Sequence, residues 1–244
     1  MKLLLIIPAY NEADNIVNTV DGILGFKKKF SSEVEIDYIV INDGSTDSTK
    51  DICKENHIKC LSLIQNLGIG GAVQTGYLYA YLNDYDIAVQ FDGDGQHDIN
   101  SLPQIIEPIL AGKADFVVGS RFVEKGTMFK STLMRRIGIK HLSMLIRIFC
   151  GIKILDVTSG YRAANRNAIA FLAKNYPQDY PEPEAIVMLK KNRFQIFEVQ
   201  ANMFERMGGE SSIHSWKTVY YMFKVSFAIL CASMQKKGDF NKWK

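Results

Sequence analysis

The sequence predicts an α/β fold with a mostly parallel central sheet and helices on both faces. Short apolar segments alternate with helical patterns through the first half of the chain, which is typical of parallel strands joined by helices. Polar clusters follow several of the apolar segments, and ligands in such folds bind beyond the carboxyl ends of the strands. With 244 residues, the chain can bury a large core and suits one domain with a small appendage.

The elements follow in a regular order. The predicted strands cover residues 3–7, 36–41, 60–64, 87–91 and 116–118, and the helical patterns between them cover residues 12–24, 46–55, 72–82 and 102–111. In the second half, residues 128–150 predict basic amphipathic helices, residues 156–163 a short strand and turn, residues 180–191 a helix, residues 195–199 a strand and residues 216–237 a long helix. We therefore expect C-terminal amphipathic helices in addition to the sheet.

Basic residues are concentrated in two segments, although the net charge of the whole chain is only +3. Residues 121–147 hold seven Lys and Arg against Glu124 alone, and residues 211–244 hold six Lys against Asp239 alone. Local basic surfaces of this kind attract nucleic acid, anionic lipid or phosphate, or are simply solvated faces. The charge pattern by itself leaves these alternatives open.

The cysteines and the apolar segments bear on the compartment. The cysteines at positions 53, 60, 150 and 231 have no CxxC spacing, so we expect free thiols in a reducing cytoplasm. The apolar run at residues 3–7 is too short for a signal peptide and is better explained as a first strand. No stretch reaches the ~18 unbroken apolar residues of a membrane span.

Carboxylates are grouped in "QFDGDGQHD", directly after the apolar run at residues 87–89. Asp92 and Asp94 are two residues apart, so at an extended strand end both would project to one side, together with Gln96. A divalent cation with oxygen ligands would relieve their repulsion, and Mg²⁺ or Mn²⁺ would keep room for water and substrate phosphates. The alternative is a solvated acidic turn, because Asp-Gly is common in turns.

Two further motifs stand at predicted strand ends. "INDGSTDST" places Asp43 at the tip of the second strand, and "NLGIGGAVQTGY" is a glycine-rich turn that runs into a helix. Such a turn can bring backbone N–H groups close to an anion. A tight turn without any phosphate contact explains Gly68 and Gly70 equally well.

The order of these motifs resembles the family 2 glycosyltransferases, which have the GT-A (Rossmann-like) fold. The resemblance runs from "IIPAYNEADNI" through "VINDGSTDST", "NLGIGGAVQTGY" and "QFDGDGQHD" to "VVGSRF". In the second half, "DVTSGYRAANRNAI", "YPEPEAIVMLKKN" and "ERMGGESSIHSWKTVYYMFKV" look like the branch that uses polyprenyl phosphates such as dolichyl and undecaprenyl phosphate. The resemblance covers about residues 2–230.

The resemblance implies a role for each matching residue. It implies that the nucleotide sugar is bound by Pro8, Tyr10, Glu12, Asp43, Gly68, Gly70, Asp92 and Asp94, and that Mg²⁺ or Mn²⁺ is held by Asp92, Asp94 and Gln96. It places the acceptor phosphate on Arg121, Arg135, Arg206 and Ser211, and it makes Asp94, Asp156, Arg121 and Arg135 the catalytic residues. The chain departs from the family at Ile69, where many relatives carry a basic residue, and at Ser212, where they carry lysine.

Four side chains near these motifs have two readings each. Asp156 either orients the sugar or the metal shell, or forms an ordinary salt bridge, for example with Arg162. His97 either binds the metal or orients its loop. Glu182 and Glu184 lie at the acceptor mouth or stabilise the start of a helix, where N–H groups favour carboxylates.

The implied function is inverting, metal-dependent transfer of one sugar from a UDP- or GDP-linked donor to a polyprenyl phosphate. The product would be a lipid-linked sugar for cell-envelope glycan or glycoprotein assembly. One alternative is a family 2 glycosyltransferase that uses a saccharide hydroxyl in polysaccharide synthesis. Another is a non-catalytic nucleotide-binding subunit of a membrane complex.

The resemblance also implies a division of the chain and a location. We expect a GT-A catalytic domain over residues 1–212, with a basic segment at about 121–150, and an amphipathic C-terminal helix and tail over residues 213–244. In the last segment, Val219, Met222, Phe223, Ser226, Phe227, Leu230 and Met234 are spaced to share one helix face. That helix either lies on the membrane or is a core helix of the domain itself. We expect peripheral attachment at the cytoplasmic face of the membrane, with a small integral-membrane protein as a further partner and no nucleic acid.

Overall fold

The structure, a computed structural model, describes residues 1–30, 33–124, 133–204 and 215–234. The strands are β1 (Lys2–Ala9), β2 (Glu35–Asn42), β3 (Cys60–Ser62), β4 (Ile87–Gln90), β5 (Phe116–Ser120), β6 (Arg162–Asn165) and β7 (Ile196–Gln200). The helices are α1 (Ile16–Lys29), α2 (Thr49–Glu55), α3 (Gly68–Leu82), α4 (Leu102–Leu110), α5 (Leu133–Cys150), α6 (Arg166–Asn175), α7 (Pro181–Lys191) and α8 (Ser215–Met234).

The described strands form one sheet in the order β3-β2-β1-β4-β6-β5-β7. Strand β6 runs antiparallel to β4 and β5, and the other pairs are parallel. This confirms the predicted α/β fold with a mostly parallel sheet. The helix α6 was not predicted, and the strand expected within residues 156–163 is formed by residues 162–165 instead.

The sheet separates two apolar layers, which explains the apolar run at the start of the chain. Alternate residues of β1 face opposite sides: Leu4 and Ile6 join the layer formed with α3 and α5–α8, while Leu3, Leu5 and Ile7 join the layer formed with α1, α2 and α4. A strand covered on both faces needs no polar alternation. The same covering confirms the prediction of helices on both faces.

Helix α3 approaches β1 closely at Gly76. A Cβ atom at this position would lie 2.1 Å from Cγ2 of the buried Ile6. We expect Gly76→Ala to lower the free energy of unfolding by about 1–3 kcal/mol, because an added methyl group forces a packed core apart. Gly22→Ala is the control, since that helical position has nothing within 4 Å and alanine should be neutral or stabilising there. Urea unfolding of both variants checks this, and equal stabilities would contradict the packing.

The C-terminal helix α8 is oriented differently from the prediction. Among its described side chains (residues 222–234), Val225, Ile229 and Ala232 are buried, and they pack on the layer that contains α5 and α7. Phe223, Phe227 and Met234 are exposed, whereas Met222 packs against the core cluster. The described members of the predicted face are therefore divided between the α5 side and the surface, because Val225, Ile229 and Ala232 form a second, apolar face that meets the core. The side chain of Val219 lies outside the described residues.

Candidate active site

The functional motifs meet at one edge of the sheet. Strands β2, β1 and β4 are neighbours and run parallel, with Asn42 paired to Ala9 and Gln90 paired to Ile6. The residues that follow them, Tyr10, Asp43 and Asp92, therefore emerge at adjacent positions. Pro8 lies in β1 next to Ile41.

The "PAYNE" segment is fixed to the loop after β2 by hydrogen bonds. Asn11 has a positive φ of 56°, and its Oδ1 atom accepts hydrogen bonds from the backbone N–H groups of Thr46 at 2.9 Å and Asp47 at 3.3 Å. The backbone N–H of Glu12 donates to Thr49 Oγ1 at 2.9 Å, and its carboxylate accepts from Asn15 Nδ2. These hydrogen bonds join the two predicted nucleotide loops into one unit.

Asp43 links that unit to the glycine-rich turn. Its side chain is buried, and Oδ1 accepts a hydrogen bond from the backbone N–H of Leu67 at 2.7 Å. Tyr10, in contrast, has 46% of its surface exposed, so its ring is available to a ligand at this edge. The carboxylate of Asp43 is suited to hydrogen bonding with a nucleoside, and the exposed ring of Tyr10 is suited to stacking on one.

The glycines of the turn have structural reasons of their own. Gly68 begins α3 with a φ of +77°, a conformation that favours glycine. A Cβ atom at Gly70 would lie 2.4 Å from the carbonyl oxygen of Gln178. Their contact with a donor phosphate stays a prediction.

The loop at residues 91–98, called the carboxylate loop below, forms a turn and does not extend strand β4. The expected extended geometry is therefore wrong. Strand β4 ends at Gln90, Gly95 has a φ of +75°, and Asp94 Oδ1 accepts a hydrogen bond from the backbone N–H of Gln96 at 3.0 Å. The turn is favoured because Asp side chains readily bond the backbone two residues on. Asp92 lies against Gly160, where a Cβ atom would be 2.9 Å from Oδ2.

The carboxylates of Asp92 and Asp94 have the donor chemistry of a divalent-cation site that a substrate completes, and their binding of a metal stays a prediction. Among the described residues, no group of three or more His, Cys, Asp or Glu side chains forms a complete metal cage. Mg²⁺ and Mn²⁺ accept one or two protein carboxylates and complete their shells with water and phosphate oxygens. Asp92 and Asp94, with the amide of Gln96 in the same loop, supply that donor chemistry.

His97 holds the backbone of the carboxylate loop in place. It is buried, its ring stacks on Tyr161 with 4.6 Å between centroids, and its Nδ1 atom accepts a hydrogen bond from the backbone N–H of Asp92 at 3.0 Å. Burial lowers the pKa of His97 to about 3, so the ring is neutral at pH 7. These contacts favour the loop-orienting reading of His97.

Asp156 pairs with Arg121. Nε and Nη2 of Arg121 donate to Asp156 Oδ2 and Oδ1 at 2.6 and 2.7 Å, and both side chains are buried. Glu198 supports the pair, because its Oε1 atom accepts the backbone N–H of Asp156 at 2.8 Å. The suggested partner Arg162 is engaged elsewhere: its guanidinium donates to the carbonyl oxygens of Ser159, Val157 and Glu182.

Three of the predicted acceptor residues lie outside the part of the chain whose side chains the structure describes. Arg135 belongs to α5, but its side chain lies outside the described residues, as do Arg206 and Ser211. A cavity of about 350 Å³ lies on the α1 side of the carboxylate loop, and of the predicted site residues it contains only Asp94. Apart from Asp94, the predicted nucleotide residues therefore do not line that cavity.

Sequence reasoning missed a polar cluster beside Asp92. Gln90 is buried in β4, accepts a hydrogen bond from Tyr176 Oη at 3.3 Å and places Nε2 3.5 Å from Asp92 Oδ1. Arg162 is fully buried opposite Gln90 in the sheet. A glutamine in an otherwise apolar strand is the signal that could have pointed to it.

Comparison with known proteins gives consistent matches. The family model described as Glycosyl transferase family 2 matches residues 4–172. The UDP-N-acetylglucosamine–dolichyl-phosphate N-acetylglucosaminyltransferase of Methanococcus voltae is 31% identical, over 96% of this chain and 97% of that protein. The undecaprenyl-phosphate mannosyltransferase of Micrococcus luteus is 30% identical, over 87% of this chain and 88% of that protein.

A solved structure has the same fold. The crystal structure of glucosyl-3-phosphoglycerate synthase from Mycobacterium tuberculosis, in complex with Mg²⁺ and uridine diphosphate, superposes with a TM-score of 0.69 and 20% identity. The match covers 98% of this chain and 81% of that one. Within the described ranges, no helix is long and apolar enough to cross a membrane.

Proposed function

This chain belongs to glycosyl transferase family 2, and from that membership we propose that it transfers one sugar from a nucleotide sugar to a polyprenyl phosphate. The observation that carries the proposal is the match along nearly its whole length to a protein named for sugar transfer to dolichyl phosphate. A second protein with a long match is named for transfer to undecaprenyl phosphate. The donor would bind at the edge formed by β1, β2 and β4.

The donor would be held by residues of four segments, which follow β1, β2, β3 and β4. Pro8, Tyr10, Glu12 and Asp43 would contact the base and ribose, and Gly68 and Gly70 at the start of α3 would face the diphosphate. Asp92, Asp94 and Gln96 would hold Mg²⁺ or Mn²⁺. Such an ion supplies Lewis-acid stabilisation of a departing nucleoside diphosphate.

A phosphate acceptor needs no general base, and the hydrogen bonds of Asp156 agree with that. A phosphate monoester has a second pKa of about 6, so at pH 7 its oxygen is already an anion that can attack the anomeric carbon. Both carboxylate oxygens of Asp156 accept hydrogen bonds from Arg121, so this buried side chain is already engaged with the guanidinium group. A saccharide hydroxyl would need such a base. A single in-line displacement by the phosphate oxygen would invert the anomeric configuration.

Arginines bring the two anions together. Arg121 is fixed by Asp156, and its planar guanidinium is suited to phosphate. Arg135, Arg206 and Ser211 complete the proposed acceptor site. The pair with Asp156 holds the Arg121 side chain in place before the acceptor arrives.

Attachment to the membrane would use the outer surfaces of α5 and α8. Exposed apolar side chains lie on both helices, at Met134, Ile137, Met144 and Ile148 of α5 and at Phe223, Phe227 and Met234 of α8. The helices pack together, with His141 Nε2 3.1 Å from Ser226 Oγ. Exposed basic residues, Arg136, Lys140, Arg147 and Lys224, accompany the apolar ones. Apolar and basic side chains together match an anionic lipid surface, here the cytoplasmic face.

Replacing Phe223 and Phe227 together with serine should weaken binding to vesicles that contain anionic lipid by at least roughly tenfold. Full burial of one phenylalanine is worth about 1.5–3 kcal/mol, and both are more than half exposed in this protein. Vesicle flotation measures the effect, and high salt should weaken the wild-type interaction by screening. Ile64→Ser with Leu82→Ser is the control, because these exposed apolar residues lie outside α5 and α8. Equal flotation of both double variants would exclude this surface.

The proposed function is tested by incubating the purified chain with a lipid extract and radiolabelled nucleotide sugars, one at a time. UDP-N-acetylglucosamine is the first donor, since the Methanococcus voltae protein is named for it, and GDP-mannose is the second. Label should enter the organic phase only when donor and lipid are both present. Label in a water-soluble glycan would indicate the saccharide acceptor, and no transfer from any donor would indicate a non-catalytic subunit.

A further inference from the structure

The carboxylate of Asp92 lies directly against the backbone of Gly160. A Cβ atom at position 160 would lie 2.9 Å from Asp92 Oδ2, and 3.1 Å from both Asp92 Oδ1 and Gln90 Nε2. A Cβ atom is essentially never found within 3.0 Å of such a neighbour. The carboxylate therefore has its present position because residue 160 carries no side chain.

The backbone on both sides of Gly160 is held by hydrogen bonds. The Nε atom of the buried Arg162 donates to the carbonyl oxygen of Ser159 at 2.7 Å. The carbonyl oxygen of Tyr161 accepts a hydrogen bond from a backbone N–H group of β5 at 2.8 Å. A methyl group added at position 160 would therefore displace the end of the Asp92 side chain and leave the loop in place, because rotating a side chain costs less than breaking buried hydrogen bonds.

Two polar side chains contact the same carboxylate. Gln90 Nε2 lies 3.5 Å from Asp92 Oδ1, and the hydrogen bond from Tyr176 Oη to Gln90 Oε1, at 3.3 Å, holds that amide in place. The Nδ1 atom of His97 accepts the backbone N–H of Asp92, so the neutral ring carries its proton on Nε2, which lies 3.4 Å from Asp92 Oδ2. The orientation of the carboxylate is thus defined by its surroundings, while 32% of the Asp92 side chain stays exposed to a ligand.

We propose that Gly160 and Gln90 are positioning residues that orient the Asp92 carboxylate for the divalent cation. This assignment rests on the proposed function, because it requires Mg²⁺ or Mn²⁺ between Asp92 and the donor diphosphate. A cation of this size demands near-ideal ligand geometry, so a rotated carboxylate binds it less tightly. Groups that orient a metal ligand typically contribute about 10- to 100-fold to metal affinity.

Gly160→Ala is the first test variant, because the added methyl group displaces the carboxylate without changing any charge. In the presence of Mn²⁺, we expect the affinity for UDP, or for GDP if the wild type binds that nucleotide instead, to fall by roughly 10- to 100-fold. In EDTA the affinity should be unchanged, since the predicted contacts to the base and ribose do not include Asp92. Isothermal titration calorimetry measures both values. Gly25→Ala is the control, because nothing lies within 4 Å of that position, and it should match the wild type in both conditions.

Gln90→Met combined with Tyr176→Phe tests the same carboxylate without an added methyl group. It removes both members of one hydrogen bond, which leaves no unpaired partner in the core, so it keeps the inference testable if Gly160→Ala does not fold. We expect this double variant also to lose affinity for the nucleotide in Mn²⁺ and not in EDTA.

Two results would overturn the inference. One is that a folded variant keeps the full gain in nucleotide affinity that Mn²⁺ gives the wild type. The other is that the variants lose as much affinity in EDTA as in Mn²⁺, because that loss would reflect a general defect of the nucleotide site. If Mn²⁺ gave the wild type itself no gain, the metal site of the proposed function would be overturned, and this inference with it.

Discussion

Asp94→Asn should reduce sugar transfer by at least roughly a thousandfold while the protein stays folded. Electrostatic stabilisation of a leaving group by a bound divalent cation is worth several kcal/mol, and about 4 kcal/mol corresponds to a thousandfold. Asparagine keeps the size of the side chain and an oxygen that can still accept the hydrogen bond from Gln96 N–H, so the turn should survive. Initial rates at saturating donor, with thermal unfolding as the measure of folding, check the prediction.

Asp98→Asn is the matched control for Asp94. Its carboxylate belongs to the same loop but accepts hydrogen bonds from Asn100, at 3.0 Å from the backbone nitrogen and 2.8 Å from Nδ2. We expect activity within a few-fold of wild type for this variant. Removal of divalent cations with EDTA should reproduce the loss seen for Asp94→Asn, and added Mn²⁺ or Mg²⁺ should restore the wild type only. Unchanged activity in EDTA would exclude the metal.

Asp156→Asn should be the most destabilising single change in the site. It leaves the buried guanidinium of Arg121 without its counter-charge, and breaking one side of a buried ion pair costs about 3–5 kcal/mol. Urea unfolding measures the loss. Arg121→Lys should also reduce activity, because an ammonium group cannot reproduce the two parallel hydrogen bonds to Asp156.

A double variant separates stability from function at this pair. Arg121→Met with Asp156→Leu removes both charges, and such replacements of buried ion pairs are often neutral or stabilising. We expect this variant to regain most of the stability lost in Asp156→Asn and to remain inactive. If it were stable and fully active, the pair would serve folding alone. If Asp156→Asn were as stable as wild type, the pair would not be buried as described.

The strand ends could be predicted from the sequence because they depend on local pattern and on one topological rule. Parallel strands place their carboxyl ends at one edge, so Asp43 and Asp92 had to lie at the same edge once the strands were identified. The pair Arg121–Asp156 could not be derived in the same way. Its members are 35 residues apart, and their contact depends on how the loop before β6 crosses the end of β5.

Local sequence patterns did not predict the buried face of α8 or the role of Arg162, because both depend on contacts with distant parts of the chain. The spacing of residues 219–234 predicted one amphipathic face. Val225, Ile229 and Ala232 form another apolar face, and this second face packs against the core. The role of Arg162 depends on three carbonyl groups, which carry no side-chain signal in a sequence. The division at residue 213, and the roles of Arg135, Arg206 and Ser211, stay predictions.

The central claim is that the acceptor is a phosphate, and a pair of defined acceptors tests it most directly. The purified chain is given one nucleotide sugar with either a polyprenyl phosphate or the corresponding neutral polyprenol, and the products are identified by mass spectrometry. We expect the polyprenyl phosphate to gain one sugar with release of one nucleoside diphosphate, and the polyprenol to gain none at any pH. Transfer to the polyprenol, or to a saccharide hydroxyl at a comparable rate, would contradict the claim.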